Sequence, residues 1–288
     1  MIDTNDGKVV GDAFADLKKA GFVAVLPWLS PAGHRAQIEA SLRRAIEAQM
    51  AGAPSEARES AVQQAIAQIA NKPTPAGQEA GAIPHELGHI WYAEAFWPGH
   101  SAAGGHYGAP GPDWMDETAA VLMESDAFTK GRIQQFGERY VKLRANNHLA
   151  DPTANTLVDL PRFFASNHPG VARGQAMLSE LKKEPGTLPQ NGIVIRASSG
   201  PEAEKFAETA ILYYLQSTML AEYLAERTGD PAVFARIGAA FGRGQTIEEW
   251  LASPEGKGRL PATVAALQAD WLSWLELRFP AQEAATAN

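Results

Sequence analysis

The sequence predicts a mainly α-helical protein of the α+β kind, with helices dominating a small β-sheet. Three observations lead there. Apolar residues recur at spacings of three and four through most of the chain, the period of an amphipathic helix. Proline, glycine and capping residues cut that pattern into pieces of helical length. One segment, "GIVIRAS" at Gly192–Ser198, has the β-branched run of a strand.

Residues 1–33 carry turn signals at Gly7, Gly11, Gly21 and Ser30–Gly33 and give no assignable element. From Arg35 to Met50, Ile38, Leu42, Ala45, Ile46 and Gln49 share one side of a helix. "AGAPSEARES" breaks it, and Pro54–Ser55 open a second helix bearing Val62, Ile66 and Ile69, which ends at "NKPTP". The alanine-rich pair reads as an antiparallel hairpin. Pro84 suits the first position of the next helix, where its missing N–H costs nothing. That helix stops at "WPG", and the loop "HSAAGGHYGAPGP" follows. In "PDWMDETAAVLMES", Asp113 is placed to cap a helix, with Asp116 completing a weak capping box. Gly131 ends or interrupts this helix, and Arg132–Asn146 reads as another.

"DPTANTLVDLPRFFASNHPG" reads mostly as loop. A long helix is expected from Pro201 to Arg227, stopped by Gly229, and Asp230–Pro231 opens another. Thr246 with Glu249 forms a capping box, and "TVAALQADWLSWLELRF" closes the chain as an amphipathic helix. Trp250, Trp271 and Trp274 sit at helical spacing and read as core. Residues 1–79 thus form an N-terminal helical region of no legible chemistry. Residues 80–288 carry the motifs and read as one compact unit.

With 288 residues, 45% of them hydrophobic and 20% charged, the chain can bury a substantial core. A net charge of −8 without a basic block argues against a nucleic-acid partner. No apolar run approaches the ~18 residues of a membrane span. The longest, "GFVAVLPWL", is half that and contains a proline. The chain has no cysteine, which excludes disulfides, thiolate metal sites and a cysteine nucleophile. Any metal must therefore be held by His, Asp or Glu. No phosphate-binding glycine loop follows a strand, and no G-x-S-x-G is present.

Against that background "PHELGH" stands out. On a helix, His85 and His89 lie one above the other and can point two imidazoles at one ion. Glu86 is rotated by roughly 100° from His85. It can reach water at that ion without itself being a ligand, which suits a general base. The plain alternative is a helix with two solvated or core histidines. A third ligand is needed, and position 95, where one family of such sites carries a histidine, is Ala95. Glu117, 28 residues after His89, is available near the start of the next helix, among small residues that allow close packing. Asp116 and Glu124 compete with it, or instead support a ligating histidine from behind.

"HELGH" followed by "PDWMDETAAVLME" resembles the gluzincin metallopeptidases. In their peptidase MA-like branch the second motif reads approximately P-x-W-x-x-E-G-x-A. Pro112, Trp114, Glu117 and Ala120 match it, and Thr118 replaces the usual glycine. "ILYYLQSTMLAEYLAERTGD" is similar to a helix of that family carrying Y-x-Q-S, matched by Tyr214, Gln216 and Ser217. The resemblance spans roughly Ala80 to Phe279 and implies a zincin-like fold. It also implies Zn²⁺ held by His85, His89 and Glu117, with Glu86 as base and Tyr214 as donor to the oxyanion. Periodicity gives Tyr214 separate support. Phe206, Tyr213, Ser217, Leu220 and Leu224 form a bulky core seam, whereas Tyr214 shares the next stripe with Ala207, Ile211, Thr218 and Ala221. Two core tyrosines are the plain alternative, and Tyr213 is the substitute donor.

The expectation is a zinc metallopeptidase acting on peptide or protein substrates. Its rival is a catalytically silent metal-binding or interaction module on the same fold. The absence of a G-x-M-E-N motif leans towards an endopeptidase. The resemblance and the lack of cysteine lean towards an exported bacterial protein with its leader removed, with a cytoplasmic protein as the alternative. His100 and His106 read as solvated loop histidines, and His34, His148 and His168 as ordinary residues near turns.

Overall fold

The computed structural model describes residues 16–17, 19–21, 31–70, 78–99, 108–149, 157–183 and 201–280, and these are mainly helical, as the apolar spacing predicts. Among the described residues the one β pairing is an isolated bridge between Lys257 and Leu260. The strand expected at 192–198 lies outside them. The chain divides into two units, residues 1–76 with 177–200, and residues 77–176 with 201–288. No described helix is long and apolar enough to cross a membrane.

In the first unit, α1 (Pro31–Gln49) and α2 (Ser55–Ala70) form a helical hairpin. The Arg43 guanidinium of α1 pairs with the Glu59 carboxylate of α2, and Gln63 donates to the same carboxylate at 2.9 Å. Val62 is the buried hydrophobic residue described there.

The second unit contains α3 (Gln78–Phe96), α4 (Asp113–Val121), α5 (Asp126–Ala145), α6 (Leu160–Ala165) and residues 169–176 of α7 (Pro169–Lys183). The chain continues through α8 (Pro201–Thr228), α9 (Val233–Gly242), α10 (Ile247–Ala252) and α11 (Val264–Arg278). Every residue of α4 is buried. It lies between α3 and α8, and α8 also packs on α5. Trp114 anchors α4 in the core, its ring 4.6 Å from Phe164 and 5.6 Å from Phe241. At the far end, Trp271 stacks on Trp274 at 5.4 Å and donates its indole N–H to the Val158 carbonyl at 3.1 Å. Trp250, Trp271 and Trp274 are all buried. The Thr246–Glu249 capping box forms as expected, and Gly229 ends α8 in the left-handed region at φ +60°.

Four local expectations differ from the structure. Residues 151–170 read mostly as loop, but among the described ones α6 spans Leu160–Ala165, capped by Asp159 accepting the Arg162 N–H at 3.0 Å, and α7 starts at Pro169. Pro84 lies inside α3, not at its start. It therefore removes one N–H from the ladder, just before the first histidine. The weak capping box at Asp113 and Asp116 does not form, because Pro112 holds the cap position. Both carboxylates instead accept backbone N–H groups from other segments, of His168 and Ala109. Gly131 does not interrupt the chain. The break comes at Leu122–Ser125, and α5 runs through Gly131. A glycine in a helix interior costs only about 1 kcal/mol relative to alanine, too little to end a helix of this length.

A candidate metal centre

The centre begins with two helices brought into near contact. A Cβ added to Gly88 would stand 2.7 Å from the Ala120 Cα and 3.3 Å from the Ala119 carbonyl oxygen, so α3 and α4 pack here only because residue 88 has no side chain. His85 and His89 are on α3 and Glu117 is on α4. The crossing places them together, each at most 7% exposed. The histidine Nε2 atoms are 3.3 Å apart. Glu117 Oε1 lies 3.4 Å from His85 Nε2, and Oε2 lies 3.6 Å from His89 Nε2. These three residues can hold a metal ion.

What stands behind the imidazoles sets which nitrogen faces inward. Asp116 Oδ1 lies 2.7 Å from His89 Nδ1, and Asp116 Oδ2 accepts the Ala109 N–H at 3.0 Å. Gly108 makes that second bond accessible. It sits at φ +89°, and a Cβ on it would fall 2.3 Å from Asp116 Oδ2. Glu124 Oε1 lies 2.8 Å from His85 Nδ1, off the axis of the ring N–H, and also accepts from Arg132. The Asp116 carboxylate keeps the His89 ring proton on Nδ1 and turns the Nε2 lone pair towards Glu117, while Glu124 places a negative charge beside His85 Nδ1 without a hydrogen bond to it.

Three electron-pair donors thus converge in a buried space, and neither Glu117 oxygen receives a hydrogen bond. Such an arrangement is costly unless a proton or a cation occupies the middle. Burial pushes the Glu117 carboxyl up to about 7, against the opposing pull of His85, His89 and Arg132. Burial also works to depress His89, but the hydrogen bond and charge of Asp116 outweigh it and the net direction is upward. Two imidazoles and one carboxylate are a donor set for a transition metal that accepts nitrogen and oxygen.

His168, which the sequence offers only as an ordinary residue near a turn, belongs to this centre. It is 3% exposed, with Nε2 3.7 Å from Glu117 Oε2. Its Nδ1 accepts the Gly170 N–H at 3.0 Å, and its own backbone N–H donates to Asp113 Oδ2 at 2.7 Å. An imidazole that accepts at Nδ1 carries its proton on Nε2 when neutral. His168 therefore faces Glu117 as a donor and not as a fourth ligand. Burial, then the neighbouring His89 and His85, lower its pKa to about 4.

Tyr214 is half-buried, its ring 5.7 Å from His85 and 5.8 Å from His168. Tyr213 turns into the core, 6% exposed and 4.9 Å from Phe163. Glu86 is half-buried on α3 between the two histidines. Thr118, where the resembled motif has glycine, is buried and donates its hydroxyl to the Trp114 carbonyl at 2.6 Å. His148 is exposed and apart from the centre, and His100 and His106 lie outside the described residues.

Comparison with protein-family models, with curated proteins and with solved structures gives no match for this chain.

Proposed function

We propose that this chain is a zinc-dependent metallopeptidase of gluzincin type, with a zincin-like catalytic region in residues 80–288. The observation that carries the reading is the convergence of His85 Nε2, His89 Nε2 and Glu117 in a buried space with a carboxylate behind each ring. Zinc held by those three residues supplies a Lewis acid that acidifies water and polarises a peptide carbonyl.

The remaining steps belong to the chain itself. Glu86 takes the proton of the attacking water and returns it to the departing amine. Its place on α3 suits this, since it directly follows His85 and is half-buried on the helix that carries both histidines. Tyr214 donates its O–H to the oxygen that becomes negative as the carbonyl turns tetrahedral. Burial first, and then Glu117, raise the Tyr214 pKa, so the phenol keeps its proton at neutral pH. Asp116 holds the His89 imidazole in one tautomer and orientation. His168, whose Nδ1 is engaged by Gly170, would not join the three residues that hold the ion.

The expected result is that Glu86→Gln retains zinc and loses peptide cleavage. Cleavage of a peptide library by E86Q at the parent rate would refute the mechanism. The rival reading, a silent metal-binding module, is favoured if the zinc-loaded parent cleaves no peptide under any condition.

A further inference from the structure

Arg132 has no part in holding an ion, yet it is largely buried at the edge of the centre. Its side chain is 16% exposed and that of Glu124 is 2% exposed. Three residues from other segments close a ring with it. Arg132 donates to Glu124 Oε1, and the same oxygen lies 2.8 Å from His85 Nδ1. The His85 ring meets Tyr214 edge-on at 5.7 Å, and the Tyr214 ring lies under the Arg132 guanidinium at 4.8 Å. The two halves of the ring serve different ends, one a metal-binding imidazole and the other a phenol.

We infer that Arg132 is a positioning residue that fixes His85, through Glu124, and Tyr214, by stacking, in one arrangement. The inference rests on the peptidase reading for the role of Tyr214, and on the ligand geometry alone for His85. The chemistry of arginine is what the position requires. A planar guanidinium can hydrogen-bond a carboxylate with its edge while presenting its face to an aromatic ring. A lysine ammonium supplies the charge for Glu124 but has no face to stack. Glu124 Oε2 is buried and accepts no hydrogen bond, so Arg132 is the described cation that offsets this carboxylate. Without it a buried negative charge stands uncompensated behind His85.

Two substitutions separate the halves. Arg132→Met is expected to weaken zinc binding about tenfold, the lower end of what loss of support behind a ligand costs. Because Arg132 acts through Glu124, R132M combined with Glu124→Gln should bind zinc no more weakly than E124Q alone. Arg132→Lys keeps the charge, so its zinc affinity should stay within a few-fold of the parent. Its kcat should fall about tenfold at unchanged KM, and the fall should vanish in a Tyr214→Phe background. The first readout is a competition titration of zinc against a chromogenic chelator, which requires no activity. Unchanged zinc affinity in R132M overturns the inference, as does an R132K loss that adds in full to that of Y214F. A parent that binds zinc and cleaves nothing removes the peptidase reading instead, and the zinc titration then decides on Arg132 by itself.

Discussion

The α1–α2 hairpin and the α3–α4 crossing are both pairs of packed helices, and they treat charge in opposite ways. In the hairpin, Arg43 and Glu59 meet across the pair with side chains 44% and 50% exposed. In the crossing, His85, His89, Asp113, Asp116 and Glu117 are all buried. An exposed ion pair gains little and costs little, because water solvates both partners before and after folding. Buried carboxylates cost several kcal/mol each unless something compensates them. A nine-residue helix that buries three of them is therefore not arranged for its own stability. The hydrogen bonds to Ala109 and His168 offset two of the three. Glu117 receives none, and it is the one that faces the two imidazoles.

The largest effect that tests this contrast is removal of the ion. If free zinc stands at a thousand times its dissociation constant, its withdrawal lowers stability by about 4 kcal/mol. A melting curve taken with and without chelator should show the shift, and Glu117→Gln should abolish most of it. In the metal-free protein Glu117 also sets a pH dependence of defined sign. Its folded pKa of about 7 lies above the ordinary carboxyl value of 4.5. Its contribution to stability is thus complete below pH 4.5 and is lost as pH rises through about 7. His89, also raised, adds a loss in the same direction, whereas His168, lowered to about 4, contributes stability that is lost as pH falls. Subtracting the E117Q profile from the parent isolates the first component. A metal-free parent whose stability is flat between pH 5 and 7 relative to E117Q contradicts the account of Glu117.

The next effect concerns how closely the helices cross. Gly88→Val puts atoms against the α4 backbone, which cannot step aside as a side-chain tip can. Overpacking of this kind costs about 1–3 kcal/mol, and the separation it forces should weaken zinc binding as well. Gly131 offers the converse within the same unit. Nothing lies within 4 Å of a Cβ added there, inside α5. Gly131→Ala should stabilise by about 0.5–1 kcal/mol through the backbone alone, without changing zinc affinity. Effects of opposite sign for Gly88→Val and Gly131→Ala in thermal denaturation would show that the tight crossing, and not glycine as such, is what the centre depends on. A smaller change is expected from Asp116→Asn, a loss of 10- to 100-fold in zinc affinity with the fold retained. Isothermal titration at fixed pH measures it directly.

Helices were legible wherever one face is apolar, as in α8 and α11, because burial then leaves a periodic trace. α4 was legible as a helix and as a carrier of Glu117, but not as wholly buried. Its carboxylates look like a solvated face or a capping box until their partners are known. Those partners, Ala109 N–H and His168 N–H, arrive from other segments. The pairing of His85 with His89 was legible because helical geometry alone sets it. His168 was not, because no spacing in the chain relates it to Glu117 and only the fold brings the turn before α7 onto α4. Pro84 and Gly131 misled for a common reason. Their local preferences are worth at most a few kcal/mol, and packing of the surrounding helix outweighs them.

The smallest expected effect lies in the hairpin and completes the contrast. Arg43 hydrogen-bonds Glu59 and holds its carboxyl down at about 2, with Gln63 assisting. A depressed carboxylate contributes stability above its unfolded pKa, and loses it as pH falls through the folded value. For Glu59 that window runs from about 4.5 down to about 2. The pair is exposed, so most of this advantage is screened by water and salt. Arg43→Ala should therefore produce a slight loss of stability at low ionic strength and none at high salt. Zinc affinity should be the same in both conditions. The same salt series applied to Asp116→Asn should leave its loss of zinc affinity nearly constant, since a buried hydrogen bond is shielded from the ions that screen Arg43. If the Arg43 and Asp116 effects fall together with added salt, the distinction between a solvated pair and a buried network is wrong for this protein.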